Sequence, residues 1–197
     1  LNTLQSYILT NEKKPALTYL SQFSGLTRKI LEFTEQDYIS LEEEIETLKL
    51  YLELEKARFN GDLHYEISTK NMDHLSKIHI PVLLLQPYVE NAVKHGLLHR
   101  QGLKKLDINF HSTDNDTLIC TIEDNGIGRE KSKEINSLRR KHHTSFATGA
   151  TQRRLELLNH GRESNIAVSF EDLYNSMGNA LGTKVTVCIP LIKANNQ

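Results

Sequence analysis

Two segments of this chain carry side chains suited to a phosphorylated ligand: Pro87-Tyr-Val-Glu-Asn-Ala-Val-Lys-His-Gly96 and Glu123-Asp-Asn-Gly-Ile-Gly128. In the first, Asn91 can offer its carbonyl oxygen to Mg²⁺, a hard ion that prefers oxygen ligands and keeps several waters while bridging phosphates. Lys94 and His95 follow one helical turn later, so all three can face the same phosphates. In the second, Asp124 is a fixed acceptor for an exocyclic amine such as that of adenine. Gly126 and Gly128 let the backbone take unusual angles and approach a ligand closely. Each residue also has a plainer reading: Asn91 bonded to backbone, Lys94 and His95 simply exposed, Asp124 capping the turn it opens. Glu90 points about 100° away from Asn91 around the helix and is a secondary candidate for metal or nucleotide contact. Taken as a pair, the two segments read as a nucleotide site.

The elements that must hold these residues change character along the chain. Residues 1 to about 60 read as helices: Leu17, Leu20, Phe23, Leu26, Ile30 and Phe33 recur at three- and four-residue steps as one apolar stripe. Pro15 lies near the start of that helix, where its missing donor is harmless. A second helix opens on a capping box, Ser40 to Glu43, and carries Leu41, Ile45, Leu48, Leu52 and Phe59 on one face. Glu42, Glu43, Glu44, Glu46, Glu53 and Glu55 are expected to form its solvated face. Two such helices must bury their stripes, and a dimerising helical hairpin would do so.

From about residue 62 the period becomes two. Leu63-His-Tyr-Glu-Ile67, Leu106-Asp-Ile-Asn-Phe110, Leu118-Ile-Cys-Thr-Ile122, Ile166-Ala-Val-Ser-Phe170 and Lys184-Val-Thr-Val-Cys-Ile189 read as strands. Helices are expected at about 82 to 97 and 150 to 160, giving a sheet with helices on one face. Between Gly128 and Thr151 runs a polar, charged connection that includes Arg139, Arg140 and Lys141; long connections of this kind are usually functional or disordered.

With 197 residues and a formal net charge of -1, the chain can bury a substantial core and has no global basic field for nucleic acid. Its two cysteines, Cys120 and Cys188, lie in strand-like runs without metal spacing and read as small buried residues. No apolar run approaches the roughly 20 residues needed to span a bilayer, and no signal peptide is expected within these residues.

The two segments resemble the N box and first glycine box of the GHKL ATP-binding fold of gyrase, MutL and sensor histidine kinases. More closely, Leu83-Leu-Leu-Gln-Pro-Tyr-Val-Glu-Asn-Ala-Val-Lys-His-Gly96 is similar to LytS-type sensor histidine kinases. The likeness continues in Ile39-Ser-Leu-Glu-Glu-Glu-Ile-Glu46, Tyr51-Leu-Glu-Leu-Glu55, Ala57-Arg-Phe59, Arg154-Leu-Glu-Leu-Leu-Asn159 and Gly182-Thr-Lys-Val185, and so covers nearly the whole chain. The resemblance implies an α+β fold: a GHKL (Bergerat-type) α/β sandwich with a mixed sheet and helices on one face, preceded by a helical dimerisation segment. It divides the chain into a partial dimerisation region, 1–60, and an ATP-binding catalytic domain, 61–193.

It also implies ATP and Mg²⁺, with Asn91 on the metal and Lys94, His95, Asp124, Gly126, Gly128, Thr151 and Thr183 around the nucleotide. The charged connection corresponds to the ATP lid, where Arg139, Arg140 and Lys141, with Arg153 beyond it, are phosphate candidates. The broader family ends the lid in a glycine-rich turn, whereas this chain has Phe146-Ala-Thr-Gly-Ala-Thr-Gln-Arg-Arg154, with Gly149 alone. In the hydrolysing members a carboxylate base stands four residues before the metal Asn. Here that position is Pro87, which favours phosphotransfer over hydrolysis.

The implied activity is transfer of the ATP γ-phosphate to a histidine and onward to a response regulator, in a homodimer joined through the helical region. The acceptor motif, Asn-Pro-His-Phe, is absent. None of His64, His74, His79, His99, His111 or His160 lies in a matching context. The expectation is therefore a fragment of a longer kinase that binds ATP without phosphorylating itself. It would lie on the cytoplasmic side, with any membrane anchor in segments outside this chain. The alternatives are a non-catalytic, nucleotide-regulated interaction module and, third, a GHKL ATPase.

Overall fold

The first forty residues give two helices, α1 (Asn2–Leu9) and α2 (Lys13–Phe33), and a short strand, β1 (Tyr38–Ser40). Ser40 then starts α3 (Leu41–Arg58) with the capping box expected from its sequence: the Ser40 hydroxyl accepts from the Glu43 N–H, and the Glu43 carboxylate takes the Ser40 N–H at 2.8 Å. This is a computed structural model, and it describes residues 2–70, 72–113, 116–139, 146–161 and 164–191, with the backbone alone at 136, 138, 139 and 146–148.

The remaining elements alternate strands and helices. They are β2 (Leu63–Ser68), β3 (His79–Pro81), α4 (Gln86–Asn91), β4 (Lys104–Thr113), β5 (Thr117–Asp124), α5 (Arg129–Arg139), α6 (Phe146–Asn159), β6 (Ala167–Tyr174) and β7 (Ala180–Pro190). Strands β1 and β3 pair antiparallel as a small ribbon. The other five form one mixed sheet in the order β2-β4-β5-β7-β6, parallel between β2 and β4 and antiparallel elsewhere. All five strands lie where the period-two pattern predicts them.

The central strands bury one face only. Leu106, Ile108 and Phe110 of β4, Leu118, Cys120 and Ile122 of β5, and Val185, Val187 and Ile189 of β7 join a core with α3 and the helix that begins at α4. One covered face is what alternation dictates, and it gives the α+β architecture expected from the sequence.

Three differences from expectation have physical causes. Glu44 is fully buried, not part of a solvated ladder, because Leu41, Glu44, Leu48 and Tyr51 fall at the three- and four-residue spacing of the inward face. The α2 stripe divides: Leu26 and Phe33 are buried, while Leu17 is 68% and Phe23 46% exposed, because the inward face of the N-terminal half falls on Ala16, Tyr19 and Gln22, one position away from the predicted residues. Finally, the start of the charged connection is helical, as α5. Ser132 is buried there, and Arg129 anchors the first turn through a two-pronged bond to Asp172 of β6, at 2.7 and 2.6 Å.

Candidate nucleotide site

Asp124 is the last residue of β5, and the strand's alternation decides where its carboxylate goes. Leu118, Cys120, Ile122 and Asp124 share the face covered by helices, so Asp124 is buried. Its Oδ1 accepts from the Gly126 N–H at 2.7 Å, which closes the turn. Burial pushes the Asp124 carboxyl up to about 6, against the pull of the Gly126 and Thr183 amides. A buried acceptor at that position is suited to a ligand N–H.

Glycines surround that carboxylate because nothing larger fits. A methyl group at Gly96 would stand 2.5 Å from Asp124 Oδ1, and one at Gly126 would meet both that oxygen and the Gly96 backbone. At Gly182, where φ is +139°, it would collide with the Asp124 carbonyl. Gly128 takes φ +79°, in the left-handed region open to glycine. Ile127 N–H donates to the Gly96 carbonyl at 3.1 Å, which ties the turn to the helix above it. Asn125 ties the same turn to β4, accepting from Lys105 N–H at 2.8 Å and donating to the Leu103 carbonyl at 3.1 Å.

The helix above begins as α4 and continues over Ala92–Leu97 with π-type bonding. Asn91 stands at the change from α to π, half-buried. Short π stretches inside α-helices are rare and occur frequently at functional positions. Lys94 is exposed and forms an ion pair with Glu90 one turn back; Gln86 donates to the other Glu90 oxygen at 3.3 Å. His95 is half-buried. Pro87 sits in the first turn of α4, where its lack of an N–H is harmless.

The remaining predicted residues divide. Thr183 is buried and lies directly opposite Asp124 in the β5–β7 register. Thr151 is half-buried on α6, and Arg153 is exposed there, its Nε donating to the Gly149 carbonyl at 3.2 Å. Arg140 and Lys141 lie outside the described residues, as does the side chain of Arg139. A cavity of about 540 Å³ opens beside the glycine turn, lined among others by Arg100, Gly126, Gly128, Arg129 and Gly182. Asn91 and Asp124 are not in its lining. Tyr88 of α4 lies against Phe170 of β6, ring centroids 6.2 Å apart, and the Arg129 guanidinium sits 5.3 Å above the same Phe170 ring. The helix of Asn91, the sheet edge and the start of α5 are thereby joined.

Sequence reasoning missed Gly96 and Gly182 as walls of the site, and Glu44 as a residue behind it. The Glu44 Oε1 accepts the Leu85 N–H at 2.9 Å, at the entry to α4. Its position within the Leu41, Leu48 and Tyr51 pattern was the available signal.

Among the described residues, no group of three or more His, Cys, Asp or Glu side chains could hold a metal ion. A lone oxygen donor such as Asn91 fits an ion that brings waters and phosphates of its own, as Mg²⁺ does. No helix of the described residues is long and apolar enough to cross a membrane.

Comparison with known proteins bears on the fold and the family. A family model described as histidine kinase matches residues 1–63. The sensor protein LytS of Oceanobacillus iheyensis is 36% identical over 124 residues, 63% of this chain and 21% of that protein. The sensor histidine kinase/phosphatase LytS of Staphylococcus aureus is 29% identical over 133 residues, 68% of this chain and 22% of that protein. The chain thus spans about a fifth of the length of these relatives. Among solved structures, the histidine kinase domain of a blue-light activated kinase from Erythrobacter litoralis superposes with a TM-score of 0.55 at 15% identity, covering 88% of this chain and 75% of that one. Histidine kinase ThkA, solved in complex with the response regulator protein TrrA, superposes with a TM-score of 0.52 at 16% identity, covering 96% of this chain and 51% of that one. The fold is that of histidine kinase domains, and the resemblance to LytS-type sensor histidine kinases is borne out.

Proposed function

We propose that this chain, similar in sequence to LytS-type sensor histidine kinases, is the ATP-binding catalytic region of such a kinase. The observation that carries the reading is the buried Asp124 acceptor, walled by Gly96, Gly126 and Gly182 and set beneath the helix that bears Asn91. Glycines packed this closely hold one buried carboxylate in a single place, as an acceptor for a particular ligand N–H requires.

The division of labour is as follows. Asp124 accepts from the exocyclic amine of adenine, Gly126 and Gly128 allow the nucleotide close to the backbone, and Thr183 borders the base. Asn91 would hold Mg²⁺, which would neutralise phosphate charge there. Lys94, His95, Thr151 and Arg153 lie toward the phosphates, and Lys94 exchanges its Glu90 partner for them. Catalysis in phosphoryl transfer rests on positioning and charge neutralisation, which these groups supply. Pro87 occupies the place of a hydrolytic base, so the γ-phosphate is held for a histidine acceptor and not spent on water. This chain contains no Asn-Pro-His-Phe acceptor motif, and it binds ATP without phosphorylating itself.

Residues 1–60 act as part of the dimerisation region and 61–193 as the catalytic domain. A second copy covers the outward row Leu17, Leu20 and Phe23. The phosphohistidine passes to a response regulator, a partner class seen with a kinase of the same fold. Membrane attachment belongs to segments outside this chain.

The test is binding of a fluorescent ATP analogue with Mg²⁺. Saturable binding that is lost in Asn91→Ala and in Asp124→Ala supports the reading. No binding by the unaltered chain at millimolar nucleotide sinks it, and steady ATP turnover would replace it with a hydrolase.

A further inference from the structure

Behind the helix that bears Asn91 lies an arrangement the proposed chemistry does not use. The turn that leads into α4, Val82 to Leu85, is gripped from two sides. From α3, the fully buried Glu44 accepts the Leu85 N–H at 2.9 Å through Oε1. From α6, Arg154 donates to the Leu83 carbonyl at 3.2 Å and also to the Val82 carbonyl. Inside this grip Leu83 takes φ +47°, a left-handed conformation that a residue with a side chain adopts only when its surroundings impose it.

Neither feature serves stability alone. A buried carboxylate is costly unless its hydrogen-bonding capacity is met, and an apolar residue at an inward helical position would avoid that cost. Here Glu44 Oε2, Tyr51 Oη and Gln86 Oε1 are all buried without a hydrogen-bond partner among the described residues. The three atoms belong to α3 and α4. Buried groups left unsatisfied beside a strained turn are a pattern of functional regions, where a particular placement is held against its cost.

We propose that Glu44 and Arg154 are positioning residues for the nucleotide site: they clamp the Val82 to Leu85 turn between α3 and α6, and so fix where α4 presents Asn91. The clamp joins three parts that the reaction must coordinate. Helix α3 continues from the helical region, α4 carries the metal residue, and α6 follows the charged connection. Glu44 touches neither nucleotide nor metal; it acts through the start of α4. The inference rests on the assignment of Asn91 to Mg²⁺ and concerns how that residue is placed.

The experiment compares nucleotide affinity with Mg²⁺ and with a chelator present, using trinitrophenyl-ATP on the unaltered chain and on Glu44→Ala, Glu44→Gln, Arg154→Ala and Arg154→Lys. The ratio of the two affinities measures what the metal adds, a quantity that loss of fold stability alone does not change in the folded fraction. Glu44→Ala and Arg154→Ala are expected to lower that ratio about tenfold, as supporting partners of metal ligands do, while the metal-free affinity stays unchanged. Glu44→Gln, which keeps a carbonyl acceptor for Leu85, is expected to restore it. Where Glu44→Ala does not fold, Arg154→Lys carries the test, since an ammonium does not reproduce the guanidinium fork that spans two carbonyls. An unaltered ratio in folded Glu44→Ala or Arg154→Lys overturns the clamp and leaves the nucleotide assignment standing. Absence of nucleotide binding by the unaltered chain overturns both.

Discussion

Gly96 and Asp124 come from different elements and are in contact: a single methyl group at Gly96 would lie 2.5 Å from the Asp124 carboxylate oxygen. The helix end and the strand end are therefore fitted to one another, and the carboxylate has no space in which to retreat. Gly96→Ala should move one of them. Overpacking of this kind costs about 1–3 kcal/mol, and the loss of nucleotide affinity should exceed what the lower melting temperature explains. A variant that melts lower but binds a fluorescent ATP analogue as before would show that the contact is a matter of packing alone.

The buried Asp124 sets a pH dependence. Its carboxyl is raised to about 6 by burial, so it ionises across the range just below neutrality. The charged form is the better acceptor for an exocyclic amine, and nucleotide affinity should fall as pH drops through about 6. Asp124→Asn should bind more weakly at neutral pH and lose that dependence. Titration of binding between mildly acidic and neutral pH checks this; a profile identical in the variant would assign the titration to another group.

Stability should respond to Glu44 in a definite direction. Desolvation raises its pKa from 4.5 to about 7, only partly offset by the backbone amides at the start of α4. The folded state thus holds this proton where the unfolded chain has released it. The contribution is fully present below about 4.5 and is lost as pH rises toward 7. Glu44→Gln removes the dependence. Urea midpoints of both proteins at either end of that window should diverge for the parent and stay closer for the variant; equal differences would mean that Glu44 titrates normally.

The outward row of α2 makes a prediction about assembly. Leu17, Leu20 and Phe23 are too exposed to serve the core of this chain, and a second copy is the proposed cover. Leu20→Glu combined with Phe23→Glu should convert a dimer into a monomer with nucleotide affinity intact. Light scattering at matched concentrations decides it, and a parent chain that is already monomeric at high micromolar concentration would refute the assignment.

Particular residues show what could be read from the sequence and what could not. Asp124 was readable because strand alternation is a local property: three buried apolar residues at every second position carry the fourth, a carboxylate, to the same face. The helix that bears Asn91 was readable from its pattern, but the π-type bonding that follows has no local signature. Glu44 was assigned to solvent because it sits in a run of glutamates. Its true partner, the Leu85 amide, is brought to it only by the tertiary fold. The helical start of the charged connection escaped notice for a similar reason, since Arg129 is held by Asp172, far along the chain. The α2 stripe was seen correctly as apolar, but the inward face of its N-terminal half, Ala16, Tyr19 and Gln22, is too mixed in character to be read from periodicity.

Strand β5 lies at the centre of the sheet, with β4 on one side and β7 on the other. In hydrogen-exchange terms its amides are expected in the slowest class, released only when the whole molecule opens. The stretch beyond Asn91 is bonded in the less regular π pattern, yet Ala92, Val93, Gly96 and Leu97 are buried and Gly96 is fitted against Asp124 of that strand. The sheet centre and the irregular helix packed on it are therefore expected to open together, so that Asp124 and Asn91 keep one relative placement as long as the fold persists.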